Sequence, residues 1–188
     1  MKEFMGDKFL ADCEMFADIL LQYNKTHNIS GVKNHQEVIE NIIDSIYPIK
    51  SLNIENIKTA VDVGSGAGFP GLVLAMYLPM IEFTLFEPIL KKSAFLHLAK
   101  SRLKLKNVKV VSDRIEKSRY FPADLITSRA VSDTKMLIKL TKNFITPSSI
   151  MLLYKGSDVE HELSGIKNYD IIKNKKIKYL ILKDLHDL

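Results

Sequence analysis

The chain has 188 residues, 46% of them hydrophobic and 26% charged, with one cysteine, no tryptophan and a formal net charge of +5. That length suits one domain with a full core, and the apolar content excludes a disordered chain. The lone Cys13 excludes an intramolecular disulfide framework and a zinc site built on paired cysteines, and no other metal site is expected.

The first predicted element is a helix: Phe9, Cys13, Phe16, Leu20 and Tyr23 step by four, three, four and three. Asn34 should cap a second helix with Glu37 as its capping-box partner, Val38, Ile39, Ile42, Ile43 and Ile46 as its buried stripe, and Pro48 ending it. From Thr59 short β-branched runs alternate with helical ones. Thr59–Val63, Glu82–Phe86, Val108–Val111, Asp124–Thr127 and Ile150–Tyr154 read as strands, and Gly71–Leu78, Lys91–Leu103 and Asp133–Asn143 as helices. Such alternation predicts an α/β fold, a Rossmann-like, mostly parallel doubly wound sheet. Tyr169–Ile172 and Lys178–Leu182 have no room for a helix between them and should add an antiparallel C-terminal edge. The expected organisation is a single domain over residues 1–188, with a helical extension over 1–50 and the core over 57–188. No apolar run approaches a membrane span, and Lys2, Glu3 and Asp7 stand where a signal peptide needs apolar residues, so a cytoplasmic chain is expected.

The charge is uneven. Between Leu90 and Tyr120 lie ten basic residues (Lys91, Lys92, Lys100, Arg102, Lys104, Lys106, Lys109, Arg114, Lys117, Arg119) against Asp113 and Glu116, a local +8 that leaves −3 for the rest. A second basic cluster is Lys173, Lys175, Lys176 and Lys178. Local basic excess is the footprint of nucleic-acid contact, or else a solvated helix face.

Four of the eight glycines fall in Asp62-Val63-Gly64-Ser65-Gly66-Ala67-Gly68-Phe69-Pro70-Gly71, directly after a predicted strand and opening a predicted helix. Glycine there permits a tight turn and close approach of a ligand at the carboxyl ends of the strands. Glu87 closes the next strand, where a carboxylate can accept bonds from ribose hydroxyls. Gly66-x-Gly68-x-x-Gly71 formally matches a dinucleotide fingerprint, but Asp62 would oppose a pyrophosphate and suits a cationic amino group or sulfonium. S-adenosylmethionine carries both, with a ribose and no phosphate. Asp113 and Glu116, past the third strand, lie where an acid can meet the adenine edge. The chemistry therefore reads as an S-adenosylmethionine-dependent methyltransferase.

The absences constrain the acceptor. Cys13 sits far in sequence from the loop, which disfavours a pyrimidine C5 nucleophile. The turn after the fourth strand, Thr127-Ser128-Arg129-Ala130, lacks the proline-rich turn commonly used on exocyclic amines. Arg129 offers planar donors for guanine O6, a phosphate or the methionine carboxylate. Guanine N7 is a lone-pair nucleophile with no proton to remove, so alignment matters more than a general base. His27, His35, His97, His161 and His186 are dispersed without ligand spacing.

With these residues in place, the chain resembles the GidB/RsmG family, bacterial 16S rRNA guanine-N7 methyltransferases acting in the 530 loop of the small subunit. The resemblance runs from about Tyr23 to the C-terminus. It rests on Tyr23-Asn24-Lys25-Thr26-His27-Asn28-Ile29-Ser30, on the loop from Asp62 to Gly71, on Ser128-Arg129-Ala130 and on Lys155-Gly156. It implies cofactor contacts from Gly64, Phe69, Ile115, Glu116 and Arg129. It also implies basic positions facing RNA at Lys92, Arg114 and Lys155, and polar positions of the extension at Asn24, Asn28, Asp44 and Ser45. Departures are Tyr23 for a common tryptophan, Glu40-Asn41 for a common Arg-His, and Glu87 for the usual aspartate.

The combined expectation is in-line methyl transfer to guanine N7 of 16S rRNA or the small ribosomal subunit by a monomeric enzyme. Asp62, Gly64, Ser65, Gly66, Gly68, Phe69, Glu87, Asp113, Ile115, Glu116 and Arg129 would hold the cofactor. Arg129 and Lys155 would orient the guanine or its phosphates, and Lys91, Lys92, Arg114 and Lys155 would bind RNA. Two rivals are a small-molecule methyltransferase of the same fold, which the basic segment disfavours, and a non-catalytic RNA- or nucleotide-binding module, which would not bind S-adenosylmethionine.

Overall fold

Steps of three and four put Phe9, Cys13, Phe16 and Leu20 on one buried face of α1 (Asp7–His27). In the computed structural model, which describes residues 6–156, 159–174 and 177–185, this helix closes on Asn28 at φ 46°, whose amide donates to the Asn24 carbonyl. Tyr23 keeps an aromatic anchor, its ring centroid 5.3 Å from Phe95 and 4.2 Å from His27. Helix α2 (His35–Ile46) is capped by Asn34, whose side chain accepts the Glu37 amide at 3.0 Å. The Glu37 carboxylate reaches back to the Lys33 amide and the Asn34 side chain, one residue earlier than a standard capping box. A 3₁₀ turn carrying Pro48 follows over Tyr47–Ser51.

The strands are β1 (Thr59–Val63), β2 (Glu82–Phe86), β3 (Val108–Val111), β4 (Leu125–Arg129), β5 (Ile150–Lys155), β6 (Tyr169–Asn174) and β7 (Ile177–Leu182). Between the first five come α3 (Gly71–Tyr77), α4 (Leu90–Arg102) and α5 (Thr134–Thr141), which runs into a 3₁₀ turn over Lys142–Phe144. One sheet has the order β3-β2-β1-β4-β5-β7-β6, parallel from β3 to β5. The expected antiparallel strand is present as β7, but it lies inside the edge: β7 pairs antiparallel with both β5 and β6, so β6 is the outer strand and runs parallel to β5. The burial pattern gives the reason. Tyr179 to Leu182 of β7 are all buried and need cover on both sides, whereas β6 is largely exposed and tolerates an edge.

The sheet divides the core in two. One side packs Phe16, Leu20, Val38, Ile42, Leu72 and Phe95 from α1 to α4 against Ala60, Phe83 and Leu125. The other packs Leu137 of α5 with Phe144 and Leu163 against Val61, Ile126 and Met151. Helices thus cover both faces, and the carboxyl ends of β1, β2 and β4 open between them. No helix among the described residues is long and apolar enough to cross a membrane. Lys2, Glu3, Lys175, Lys176 and His186 lie outside the described residues.

Candidate functional site

The loop after β1 is a turn that glycine makes possible. Gly64, Gly66 and Gly68 adopt φ of 70°, 57° and 95°, the left-handed region. A Cβ on Gly64 would stand 2.4 Å from the Val131 side chain, and one on Gly71 would stand 2.4 Å from Asp62 Oδ2. The loop's donors are consumed internally. The amides of Gly64 and Ser65 both donate to the Phe86 carbonyl, that of Gly68 to the Ser65 carbonyl, and that of Gly66 to Glu87 Oε2 at 2.7 Å. Glu87, buried at the end of β2, also accepts the Ile89 amide on Oε1 at 2.8 Å. A phosphate, which needs free loop amides, finds four of them already spent. Each Glu87 oxygen keeps a second lone pair for a hydroxyl.

Asp62 is placed differently from its expected role. Its side chain is wholly buried beneath the start of α3 and does not line the cleft. It faces the core side of the sheet at the register of Leu85 and Thr127, and Gly71 closes over it. Thr127 Oγ1 donates to Oδ1 at 2.6 Å, and Oδ2 has no hydrogen-bond partner among the described residues. Burial pushes its carboxyl up to about 6, against the lowering effects of Thr127, Ser65 and the Gly71 backbone. Ser65 is buried too, its hydroxyl 3.3 Å from the Asp62 carbonyl oxygen, and neither it nor Gly68 reaches the cleft. These three residues shape the loop from behind.

The cleft itself has a volume of about 930 Å³. Of the expected cofactor residues, Gly64, Gly66, Phe69, Glu87, Asp113, Ile115, Glu116 and Arg129 line it together, and so do Lys92 and Arg114. Ile115 is buried there, offering an apolar floor, while Glu116 stands at the rim within 3.8 Å of Arg114. Asp113 accepts the Arg114 amide at 2.7 Å. Arg129, half-buried at the end of β4, has a buried Nη1 without a hydrogen-bond partner among the described residues. Because Arg129 also lines the cleft, its guanidinium suits an anion or a carbonyl oxygen there.

Two cations expected at the ligand are held elsewhere. Lys155 does not line the cleft; its ammonium is paired with Glu162 at 2.6 Å and donates to the Ser132 carbonyl at 2.9 Å. Burial opposes ionisation of Glu162, but the bonds from Lys155 and Thr134 outweigh it and hold the carboxyl below its usual range. Lys91 is likewise occupied, donating to the carbonyls of His27 and Asn28 at the end of α1. The basic segment as a whole is not one face. Lys100, Arg102, Lys104, Lys106 and Lys109 follow the far end of α4 and enter β3 at its start, at the opposite end of the sheet from the cleft. A thirteen-residue helix carries them roughly 20 Å away.

The sequence reading missed two walls. Ile29 to Val32 and then Glu37, Glu40 and Asn41 form one, and Val131, Ser132, Met136 and Leu140 form the other. The first wall had a readable signal in the Asn24–Ser30 motif. Asn24 Oδ1 accepts the amides of Ile29 and Ser30, and its Nδ2 donates to the carbonyls of Ser30 and Val32, so one side chain pins the loop in place. Ser45 is buried and bonded within α2, and its carbonyl accepts the Tyr154 hydroxyl. Burial pushes the Cys13 thiol up to about 12, which suits a packed side chain and not a nucleophile. No group of His, Cys, Asp and Glu with metal-holding geometry occurs among the described residues.

Comparison with known proteins adds the lineage. Among solved structures, a mutant of MtNAS in complex with S-adenosylmethionine superposes with a TM-score of 0.62 at 11% identity, over 92% of this chain and 74% of that one. A SAM-dependent methyltransferase from Aquifex aeolicus gives 0.57 at 18% identity, over 74% and 89%. At such identities these share the fold. Curated relatives are far nearer. The ribosomal RNA small subunit methyltransferase G of Aliarcobacter butzleri is 44% identical over 95% of this chain and 92% of its own length, and that of Campylobacter curvus is 46% identical over 89% of each. Residues 10–186 match the profile of GidB, rRNA small subunit methyltransferase G. With the S-adenosylmethionine-dependent methyltransferase architecture and a match of this extent, the chain belongs to the GidB family.

Proposed function

We propose that this chain transfers a methyl group to N7 of a guanine in the 530 loop of 16S rRNA, as a single cytoplasmic methyltransferase unit. The observation that carries the reading is the chemistry at the end of β1 and β2. Four loop amides are spent on the protein itself, while Glu87 retains lone pairs beside them, a site for a ribose without a phosphate. That donor set fits S-adenosylmethionine and not a dinucleotide. The basic groups and the relatives' name supply the substrate class.

S-adenosylmethionine, when bound, supplies a methyl group on a sulfonium, an electrophile that needs no proton from its acceptor. The residues of this chain bind and orient. Glu87 accepts ribose hydroxyls on the lone pairs that Gly66 and Ile89 leave free. Ile115 gives an apolar surface to the adenine, with Asp113 and Glu116 at its edge. Arg129, which lines the cleft, takes the methionine carboxylate on its guanidinium. This assignment keeps the guanidinium away from the guanine ring, which gains positive charge as N7 is methylated. Asp62 acts from behind the loop by fixing β1 to β4 through Thr127. Lys155 acts at one remove: with Glu162 it ties Ser132 and Thr134, and so the second wall, to the end of β5. Lys92 and Arg114, at the cleft itself, are the cations left to meet the rRNA phosphates. Catalysis is then alignment of N7 with the methyl–sulfur axis, without a general base.

The test is transfer of tritiated methyl from S-adenosylmethionine to small-subunit particles, 16S rRNA and free nucleotides, with nucleoside analysis of the product. The expected product is 7-methylguanosine in rRNA or particles only. Its absence from every rRNA substrate would overturn the assignment.

A further inference from the structure

Helix α5 has two outward flanks, and only one faces the cofactor cleft. With about 100° per residue, Thr134, Leu137 and Thr141 turn inward and are buried, and Met136 and Leu140 line the cleft. Lys135 and Lys139 lie on the opposite flank with Ile138, and Lys142 continues the row into the following 3₁₀ turn. There they border a second groove of about 610 Å³ whose floor is apolar, with Ile145 and Ile166 prominent. All three lysines are exposed, and none has an ion-pair or hydrogen-bond partner among the described residues. No acidic residue lines the groove among the described residues. The lysines at i, i+4 and i+7 span about 10 Å along the helix.

This differs from the segment that holds most of the positive charge. There Lys91 is bonded to the end of α1, Arg114 and Lys117 stand near Glu116 and Asp113, and five further cations sit at the far end of the sheet. Besides Lys92 and Arg114 at the cleft itself, the α5 row is a group of positive charges, unpaired among the described residues, on the helix that forms one wall of the cleft. A polyanion whose target base enters the cleft past Met136 has only the width of one helix to cross before it reaches these lysines.

We propose that the α5 groove is a second RNA-contact surface, which takes the phosphate backbone flanking the target guanine on Lys135, Lys139 and Lys142. The apolar floor receives a base or ribose face of the same strand. The inference rests on the reading of this chain as an rRNA methyltransferase, and it adds a surface, on the face of the sheet opposite α4, to the cleft itself.

The experiment compares the full chain with the triple variant Lys135→Gln, Lys139→Gln, Lys142→Gln and with a far-end variant, Lys100→Gln, Arg102→Gln, Lys106→Gln. Binding of 16S rRNA is titrated against salt, S-adenosylmethionine affinity is measured by calorimetry, and methyl transfer gives KM for rRNA and kcat. Loss of three phosphate contacts should reduce the salt slope of rRNA binding by about 2 and raise KM for rRNA about 10-fold, with kcat and cofactor affinity unchanged. The far-end variant should keep its slope within about 0.5 of the parent. A triple variant with the parent's slope and KM overturns the proposal, as does a far-end variant that weakens binding equally, since net charge alone would then be acting. If the parent itself neither binds nor methylates rRNA, the underlying functional reading fails, and that result is visible before any variant is made.

Discussion

The two ends of the central sheet are finished by opposite rules. At the amino ends of β1, β3 and β5, polar groups are saturated. Asp124 Oδ2 accepts the amides of Lys58 and Thr59 and the Thr59 hydroxyl at 2.8–3.0 Å. Asn107 Nδ2 donates to the carbonyls of Ala75 and Ile81, and Ser149 Oγ donates to that of Ala123. At the carboxyl ends, Asp62 Oδ2 and Arg129 Nη1 are buried without hydrogen-bond partners among the described residues, and Gly64, Gly66, Gly68 and Ala130 all take positive φ. The remaining buried orphan among the described residues, Tyr179 Oη, stands in β7 at the register of Tyr154, which is itself opposite Arg129. One end is finished for stability. The other keeps unsatisfied groups and unusual backbone where a ligand must approach, which is where open α/β sheets bind.

The largest effect should come from the tightest contact at the cleft end. Gly71→Ala would put a methyl 2.4–2.5 Å from three atoms of buried Asp62. Displacing a buried carboxylate by overpacking should cost about 4 kcal/mol, with loss of S-adenosylmethionine binding, measured by denaturant unfolding and calorimetry. A variant that unfolds within about 1 kcal/mol of the parent would mean that the loop yields easily and that the cleft end is not rigid.

Next is the pH dependence of Asp62 itself. Its folded carboxyl titrates at about 6 against 3.8 for the free group. Because the folded state binds the proton more tightly, stability falls as pH rises from about 4 to about 6, by up to roughly 3 kcal/mol, and is flat above. Asp124 and Glu162, with carboxyls held low, have the opposite sign: their stabilisation is lost as pH falls. Asp62→Asn removes only the first contribution. The difference in unfolding free energy between variant and parent should therefore grow across that window. A constant difference would place Asp62 in contact with water.

Much of this contrast was legible beforehand, and the illegible part has a common cause. The glycine loop, Glu87, and β1 to β5 to within a residue or two follow from local periodicity and turn chemistry. The insertion of β7 inside β6 does not, because two apolar runs define a hairpin without saying which strand faces β5. Lys155 and Lys91 read as free cations in sequence, but their partners are Glu162 and the end of α1, and only packing brings those together. Asp62 read as a cleft residue because it precedes the loop, and the strand's alternation turned it to the core instead. The +8 segment failed as a face because a helix and its return strand carry charge to both ends of a sheet.

At the saturated end, Asp124→Ala leaves two backbone amides and a hydroxyl without their acceptor in a half-buried site. It should cost about 2 kcal/mol of stability while kcat/KM per folded molecule stays within about 2-fold. Because this carboxyl is held low in the folded state, the penalty should shrink as pH falls through its titration. A matching loss of activity would show that the two ends are coupled.

Arg129 gives the mirror result and the smallest free-energy change. It ends β4 with a donor that has no partner among the described residues, so its removal deletes no hydrogen bond from Nη1 there. Arg129→Ala should leave the unfolding midpoint unchanged or slightly raised, since an unsatisfied buried donor is lost. S-adenosylmethionine affinity should fall about 10-fold, equivalent to about 1.4 kcal/mol. Arg129→Lys keeps the charge without the planar fork and should recover only part of that affinity. Calorimetry with the cofactor and KM for rRNA separate two anions. Weakened cofactor binding with unchanged rRNA KM places the methionine carboxylate on Arg129, whereas the reverse places an RNA phosphate there and moves the polyanion path from α5 into the cleft.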